Sequence, residues 1–191
     1  MFGRGRGIDC IPHTGSTIAP GWSGSPSIMF NIGSPPVLMN RHTRTAESAR
    51  KPAAALKAAR NAPRPITVVP GLAEVLPADD ASFDAAVCSL VLCSVPDQGT
   101  ALAEVQRVLR PGGELRFYEH VGADRSPLTL LQRAVEPLWS RLGGGCHVTR
   151  DTESGHSAAG FSIERIERFT FSPGVVARLG SPHILGIARR P

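Results

Sequence analysis

From Ile66 to the C-terminus, short β-branched or apolar runs alternate with segments of helical period. Few architectures accommodate that pattern. Ile66-Thr67-Val68-Val69, ended by Pro70-Gly71, reads as a strand. Phe83 to Cys93 is a longer apolar run of the kind buried on both faces of a parallel sheet. Asp97 then caps a helix with Leu102, Val105, Val108 and Leu109 on one face and Arg107 and Arg110 in its last turn. Pro111-Gly112-Gly113 stops that helix, and Leu115 to Val121 is the next strand. Helices follow over 127–142, interrupted near Pro137, and over 151–159, ended by Gly160. Phe161 to Phe171 and His183 to Ala188 are the last two strands, and their short connection predicts an antiparallel pair. The expected fold is a Rossmann-like, doubly wound α/β sheet, mostly parallel with an antiparallel C-terminal strand.

The chain before Ile66 has a different character. Residues 1–36 are rich in Gly, Pro, Ser and Arg and show no sustained period. Such a segment buries too little apolar surface to offset the entropy of ordering it. The alanines of 43–61 favour a helix capped by Thr45, with Pro52 as an obstacle. The organisation read from this is an irregular segment over 1–42 and an α/β domain over 43–191, incomplete at its N-terminus. A sheet lacking its first strand exposes an edge beside the Phe83 strand, unless residues 28–39 pair there.

Bulk properties narrow the function classes. The 191 residues suit one domain. The net charge of +5, from 21 basic and 16 acidic residues, reads as arginines on solvated faces. With one Tyr and two Trp there is no base-stacking platform, so no nucleic-acid partner is expected. No run of 18 apolar residues exists, and no membrane-spanning segment is expected. The four cysteines form no CxxC pair, which fits a reduced, cytoplasmic protein.

Three segments carry a family resemblance: Leu76-Pro77-Ala78-Asp79-Asp80-Ala81-Ser82-Phe83-Asp84, Val87-Cys88-Ser89-Leu90-Val91-Leu92-Cys93-Ser94-Val95-Pro96-Asp97, and Ala103-Glu104-Val105-Gln106-Arg107-Val108-Leu109-Arg110-Pro111-Gly112-Gly113. They resemble the approach to strand 4, strand 4 with its loop, and the helix and turn before strand 5 of class I S-adenosylmethionine-dependent methyltransferases. A finer resemblance, to the small thiol-methylating branch, rests on Leu90–Val95, Glu119-His120-Val121, Glu136-Pro137-Leu138-Trp139 and Gly145-Cys146-His147-Val148-Thr149-Arg150. The resemblance implies methyl transfer from S-adenosylmethionine to a small-molecule acceptor, with a thiol favoured, by a monomer. The alternative is a methyltransferase-fold relic or binding module without catalysis.

The same resemblance allots the site residues. Gly71, Leu72 and Ala73, at the strand 3 end, stand where the family meets adenine. Cys88, Ser89 and Leu90, at the strand 4 end, stand beside the methionine part of the cofactor, although Cys88 lies in an apolar run and reads first as a buried core thiol, which leaves Ser89 the better contact. His120 is the candidate catalytic residue, facing the acceptor as base or orienting group. Cys146-His147 could shape the acceptor pocket, and with no third or fourth ligand evident no metal is expected. The family's Gly-rich turn, E-x-G-x-G-x-G, occurs nowhere before strand 3; Gly3-Arg4-Gly5-Arg6-Gly7 has no strand before it. The acid that binds the ribose at the end of strand 2 is replaced by Leu38 or Met39.

Overall fold

The computed structural model describes residues 27–32, 34–41, 56–57, 59–61, 66–124, 127–142, 145–171 and 180–191, the segment 27–41 by its backbone course. In chain order the elements are β1 (Ser27–Ile32), β2 (Ser34–Arg41), β3 (Thr67–Gly71), β4 (Phe83–Ser89), α1 (Gln98–Val108), β5 (Leu109–His120), α2 (Pro127–Leu142), α3 (Thr152–Ala158), β6 (Ser162–Thr170) and β7 (Pro182–Arg189). Most of the helix expected over 43–61 lies outside the described residues; within it Leu56, Lys57, Ala59 and Arg60 are helical.

All seven strands join one sheet in the order β3-β2-β1-β4-β5-β7-β6. β2 pairs with β3 in parallel, and β4 with β5. β7 runs antiparallel to β5 and β6, as the short connection predicted. β1 departs from the expectation by lying antiparallel to both of its neighbours, β2 and β4. The reason is chain length. β1 ends at Ile32 and β2 begins at Ser34, whereas a parallel crossover needs roughly a dozen residues. The expected gap beside β4 is therefore filled, and the expectation of irregular chain over 1–42 is corrected for 27–41. Pro35 and Pro36 cannot donate to a ladder, and the pairing of β2 with β3 begins after them, at Val37↔Thr67.

The core lies between the sheet and the helices α1 and α3. Ala101, Leu102, Val105 and Val108 of α1 are fully buried, on the face that the heptad-like spacing predicted. They pack with Ala86 and Cys88 of β4, Leu115 and Phe117 of β5, and Ile184 and Ala188 of β7. Asp97 caps α1 as expected, its carboxylate accepting from the Thr100 N–H at 3.0 Å. α2 continues through Pro137 where an interruption was expected. Glu104 and Arg107 tie α1 to the approach to β4. Glu104 accepts from the Leu76 N–H, and Arg107 donates to the Ala78 carbonyl and pairs with Asp80 at 2.6 Å.

Gly186 is required by close approach. Gly186 of β7 lies opposite Phe117, and a Cβ there would sit 2.4 Å from Phe117 Cζ and 2.5 Å from the Arg165 carbonyl oxygen. Gly186→Ala is expected to lower stability by at least about 2 kcal/mol, because backbone cannot yield as a flexible side chain would. Chemical denaturation of the variant checks this; an unchanged midpoint would contradict the packing described.

Candidate functional site

Five strands point the same way, so the C-ends of β2, β3, β4 and β5 gather on one edge of the sheet. Ligands of open α/β sheets bind at such an edge. Along it the register places Gly71 beside Arg41, Asn40 beside Ser27, and Ser27 beside Ser89. Gly71 and Ser89 are thus three strand spacings apart, about 14 Å.

The structure distributes the expected site residues unevenly along this edge. Gly71 ends β3, Leu72 is exposed and Ala73 is buried in the core. Ser89 ends β4 and is half-buried. Leu90 follows with φ of 54°, and its N–H donates to the Tyr118 carbonyl at 2.8 Å. A left-handed backbone at a branched side chain is strained and is held here by its surroundings. Cys88 is wholly buried beneath α1, a core thiol, so only its backbone is left to the edge. Burial pushes its thiol well above the ordinary range. The acid position is corrected. β2 extends to Arg41, and its final residues beside β3 are Asn40 and Arg41 in place of Leu38 or Met39.

Glu119, which was not assigned a role from sequence, organises the loop after β4. Its carboxylate is fully buried and accepts three backbone N–H groups: Oε1 from Val91 and Leu92, each at 3.0 Å, and Oε2 from Cys93 at 3.1 Å. Burial raises its pKa, and the three donors oppose that rise. Arg150 closes the same loop from the other side, donating to the Leu92 carbonyl at 2.8 Å and the Val95 carbonyl at 2.6 Å. The His147 N–H donates to the Cys93 carbonyl at 2.7 Å. Residues 90–95 and 145–150 are thereby locked together.

That junction brings three side chains into contact. His120 Nδ1 lies 3.5 Å from Cys93 Sγ and 3.4 Å from Cys146 Sγ, and the two sulfurs are 3.8 Å apart. The hydrogen bond with Cys146, together with burial, pushes the Cys93 thiol up to about 12. The same hydrogen bond holds Cys146 below its ordinary value, against burial. The His120 ring packs on His183, and Tyr118 stacks on His183 and Phe169, giving an aromatic wall on the sheet face away from α1. His147, expected beside Cys146, instead turns to Glu136, with Nδ1 2.7 Å from Oε1. A separate cleft of about 510 Å³, lined by charged groups that include Arg133, Asp151 and Arg168, lies between α2 and α3.

A family model described as a methyltransferase domain matches residues 37–117. Solved structures share the fold. A S-adenosylmethionine-dependent methyltransferase from Methanosarcina mazei superposes with a TM-score of 0.58 at 21% identity, covering 81% of this chain and 82% of that one. One from Mesorhizobium loti gives 0.52 at 23% identity, covering 80% and 78%. These likenesses establish that the chain shares the methyltransferase fold. Among curated proteins, thiol S-methyltransferase TMT1B of Rattus norvegicus is 46% identical over 111 residues, and thiol S-methyltransferase TMT1A of Homo sapiens is 41% identical over 110. Each match covers 57% of this chain and 44% of the relative, so the chain spans less than half the length of those relatives. The match to the methyltransferase domain begins within β2 and ends within β5, so β1, β6 and β7 lie outside it.

The cofactor of the family fits only part of this edge. The ends of β3 and β4 and the clamped 90–95 loop are in place. The Gly-rich turn is not, since the antiparallel β1 presents its N-end, Ser27, where the family's first strand ends. No helix among the described residues is long and apolar enough to cross a membrane.

Proposed function

We propose that the chain carries the acceptor half of a S-adenosylmethionine-dependent thiol methyltransferase, with Gly71, Leu72, Ala73, Ser89 and Leu90 along the cofactor edge and His120 at the acceptor end. The observation that supports this best is the junction of the 90–95 and 145–150 loops with the end of β5. Each of its three segments belongs to the thiol-branch resemblance, and the similarity to the thiol S-methyltransferases points to the same acceptor class. S-adenosylmethionine supplies an electrophilic methyl group on a sulfonium, whose transfer depends on alignment and exclusion of water. The residues of this chain serve those ends. Glu119 holds the loop rigid, the aromatic wall of Tyr118, Phe169 and His183 excludes water, and His120 orients the incoming acceptor.

The reading extends to a monomer in a reducing, cytoplasmic setting, consistent with three buried free thiols at Cys88, Cys93 and Cys146. It includes no nucleic-acid partner. Several arginines are committed to acids, among them Arg107 to Asp80, Arg110 to Asp84 and Arg189 to Glu164. The match starts at residue 37, inside the segment first read as irregular, with β1 as a replacement strand before it. The reversed direction of β1 favours a second reading, a methyltransferase-fold binding module without catalysis.

Calorimetric titration of the folded 191-residue chain with S-adenosylhomocysteine separates the two. Micromolar binding, with methylation of small thiols, is expected of the first. A folded chain that takes up no S-adenosylhomocysteine establishes the second.

A further inference from the structure

We infer that Cys93, Cys146 and Nδ1 of His120 form a three-ligand zinc site at the C-terminal edge of the sheet, with its fourth position open. The geometry carries the assignment. A tetrahedral zinc ion with Zn–S of about 2.3 Å and Zn–N of about 2.0 Å spaces two sulfurs about 3.8 Å apart and sulfur from nitrogen about 3.5 Å apart. The observed separations are 3.8 Å between the sulfurs, and 3.5 and 3.4 Å from His120 Nδ1 to Cys93 and Cys146. All three donor atoms lie within 4.8 Å of one another. A disulfide would bring the sulfurs to about 2.0 Å, so the pair stands at ligand spacing and not at bonding distance.

Charge and rigidity agree with the geometry. Two thiolates, a neutral imidazole and Zn²⁺ sum to zero, which suits a site where Cys93 is fully buried and Cys146 is 7% exposed. Glu119 lies next to His120 in sequence but is already satisfied by its three N–H donors, so it neither competes for the ion nor leaves a second charge unpaired. The ligands come from three elements whose relative positions are fixed without the metal. The His147 N–H to Cys93 carbonyl bond and the two Arg150 bonds join the cysteine loops, and the β5 ladder sets His120. Trp139 packs against the cluster that Cys93 and Cys146 form with Val148. The sequence hides the site because its ligands are 27 and 26 residues apart. His147, adjacent to Cys146, is the misleading neighbour. With three protein ligands the ion keeps one position for water or a soft anionic donor such as a thiolate, the pattern of an open zinc site.

The test uses the full chain, purified under reductant without chelator, then stripped and titrated with Zn²⁺ and with Co²⁺. The expected result is one equivalent of zinc, and a Co²⁺ form with sulfur-to-cobalt charge-transfer absorption and tetrahedral ligand-field bands. Cys93→Ser, Cys146→Ser and His120→Ala should each weaken zinc by at least about 100-fold, since loss of even an outer-shell partner costs 10–100-fold. His147→Gln should retain the wild-type affinity. Absence of the charge-transfer band in wild-type chain that is folded and has free thiols would overturn the site, and this measurement needs no variant to fold. Equal loss in His147→Gln and His120→Ala would also overturn it, as would a Cys93–Cys146 disulfide that forms in preference to metal binding.

Discussion

Glu119→Ala is expected to lower the unfolding free energy by about 3–5 kcal/mol, because three buried N–H donors lose their acceptor at once. The side chain is fully buried, and its loss leaves the N–H groups of Val91, Leu92 and Cys93 without their acceptor. A single unsatisfied buried donor costs about 1–3 kcal/mol, and three are orphaned together. Glu119→Gln should cost less, about 2 kcal/mol. Its amide oxygen can still serve Val91 and Leu92, while the amide nitrogen meets the Cys93 N–H as donor against donor. Urea denaturation of the three proteins checks the ranking. A glutamine variant as damaged as the alanine one would contradict the account. Because the loop also carries Leu90 and Cys93, the alanine variant should lose whatever binding the loop supports before it loses the sheet.

A second large effect is expected from His156, buried in α3 with its ring 4.2 Å from that of Phe117. Its Nδ1 lies 2.6 Å from the Thr152 carbonyl, which can only accept, so Nδ1 carries the proton and the buried Nε2 is left as an unpartnered lone pair. Burial lowers its pKa from 6.5 to about 4. The folded state therefore prefers the neutral ring. Its contribution is fully present above pH 6.5, where the unfolded histidine is also neutral. It is lost as the pH falls from 6.5 towards 4, and the loss approaches about 3 kcal/mol. Stability measured across that window should fall in the wild type, and the fall should be smaller by that amount in His156→Leu. An acid limb of equal steepness in both proteins would show that another group is responsible.

Much of the candidate edge was open to sequence reading, and the parts that were not share a cause. Period and caps placed α1, because a helix buries one face and Asp97 marks its start. The run Phe83–Cys93 announced a buried strand, which ends at Ser89, and its later residues carry the methyltransferase resemblance. Ser89 and His120 could be placed at strand ends from the sequence, and the structure puts them there. The sequence left Cys88 open between core and cofactor contact because alternation along β4 decides which of two neighbours faces the helices, and a run apolar on both faces conceals that alternation.

What the sequence determined by itself is the set of local and short-range choices: strand against helix, the start of α1 at Asp97, and the antiparallel β6–β7 pair, whereas α1 ends at Val108, before Pro111-Gly112-Gly113, which lies within β5. Those follow from dihedral preferences, hydrophobic period and chain reach, all of which act within a few residues. The tertiary structure alone decided that β1 fills the slot beside β4, that Glu119 reaches back to three N–H groups of the 90–95 loop, and that Cys93, His120 and Cys146 meet at ligand distance. These depend on groups more than two dozen residues apart, brought together by sheet order and burial. No local pattern in the chain specifies such a contact, because the free energy that selects it comes from desolvating and satisfying the groups together.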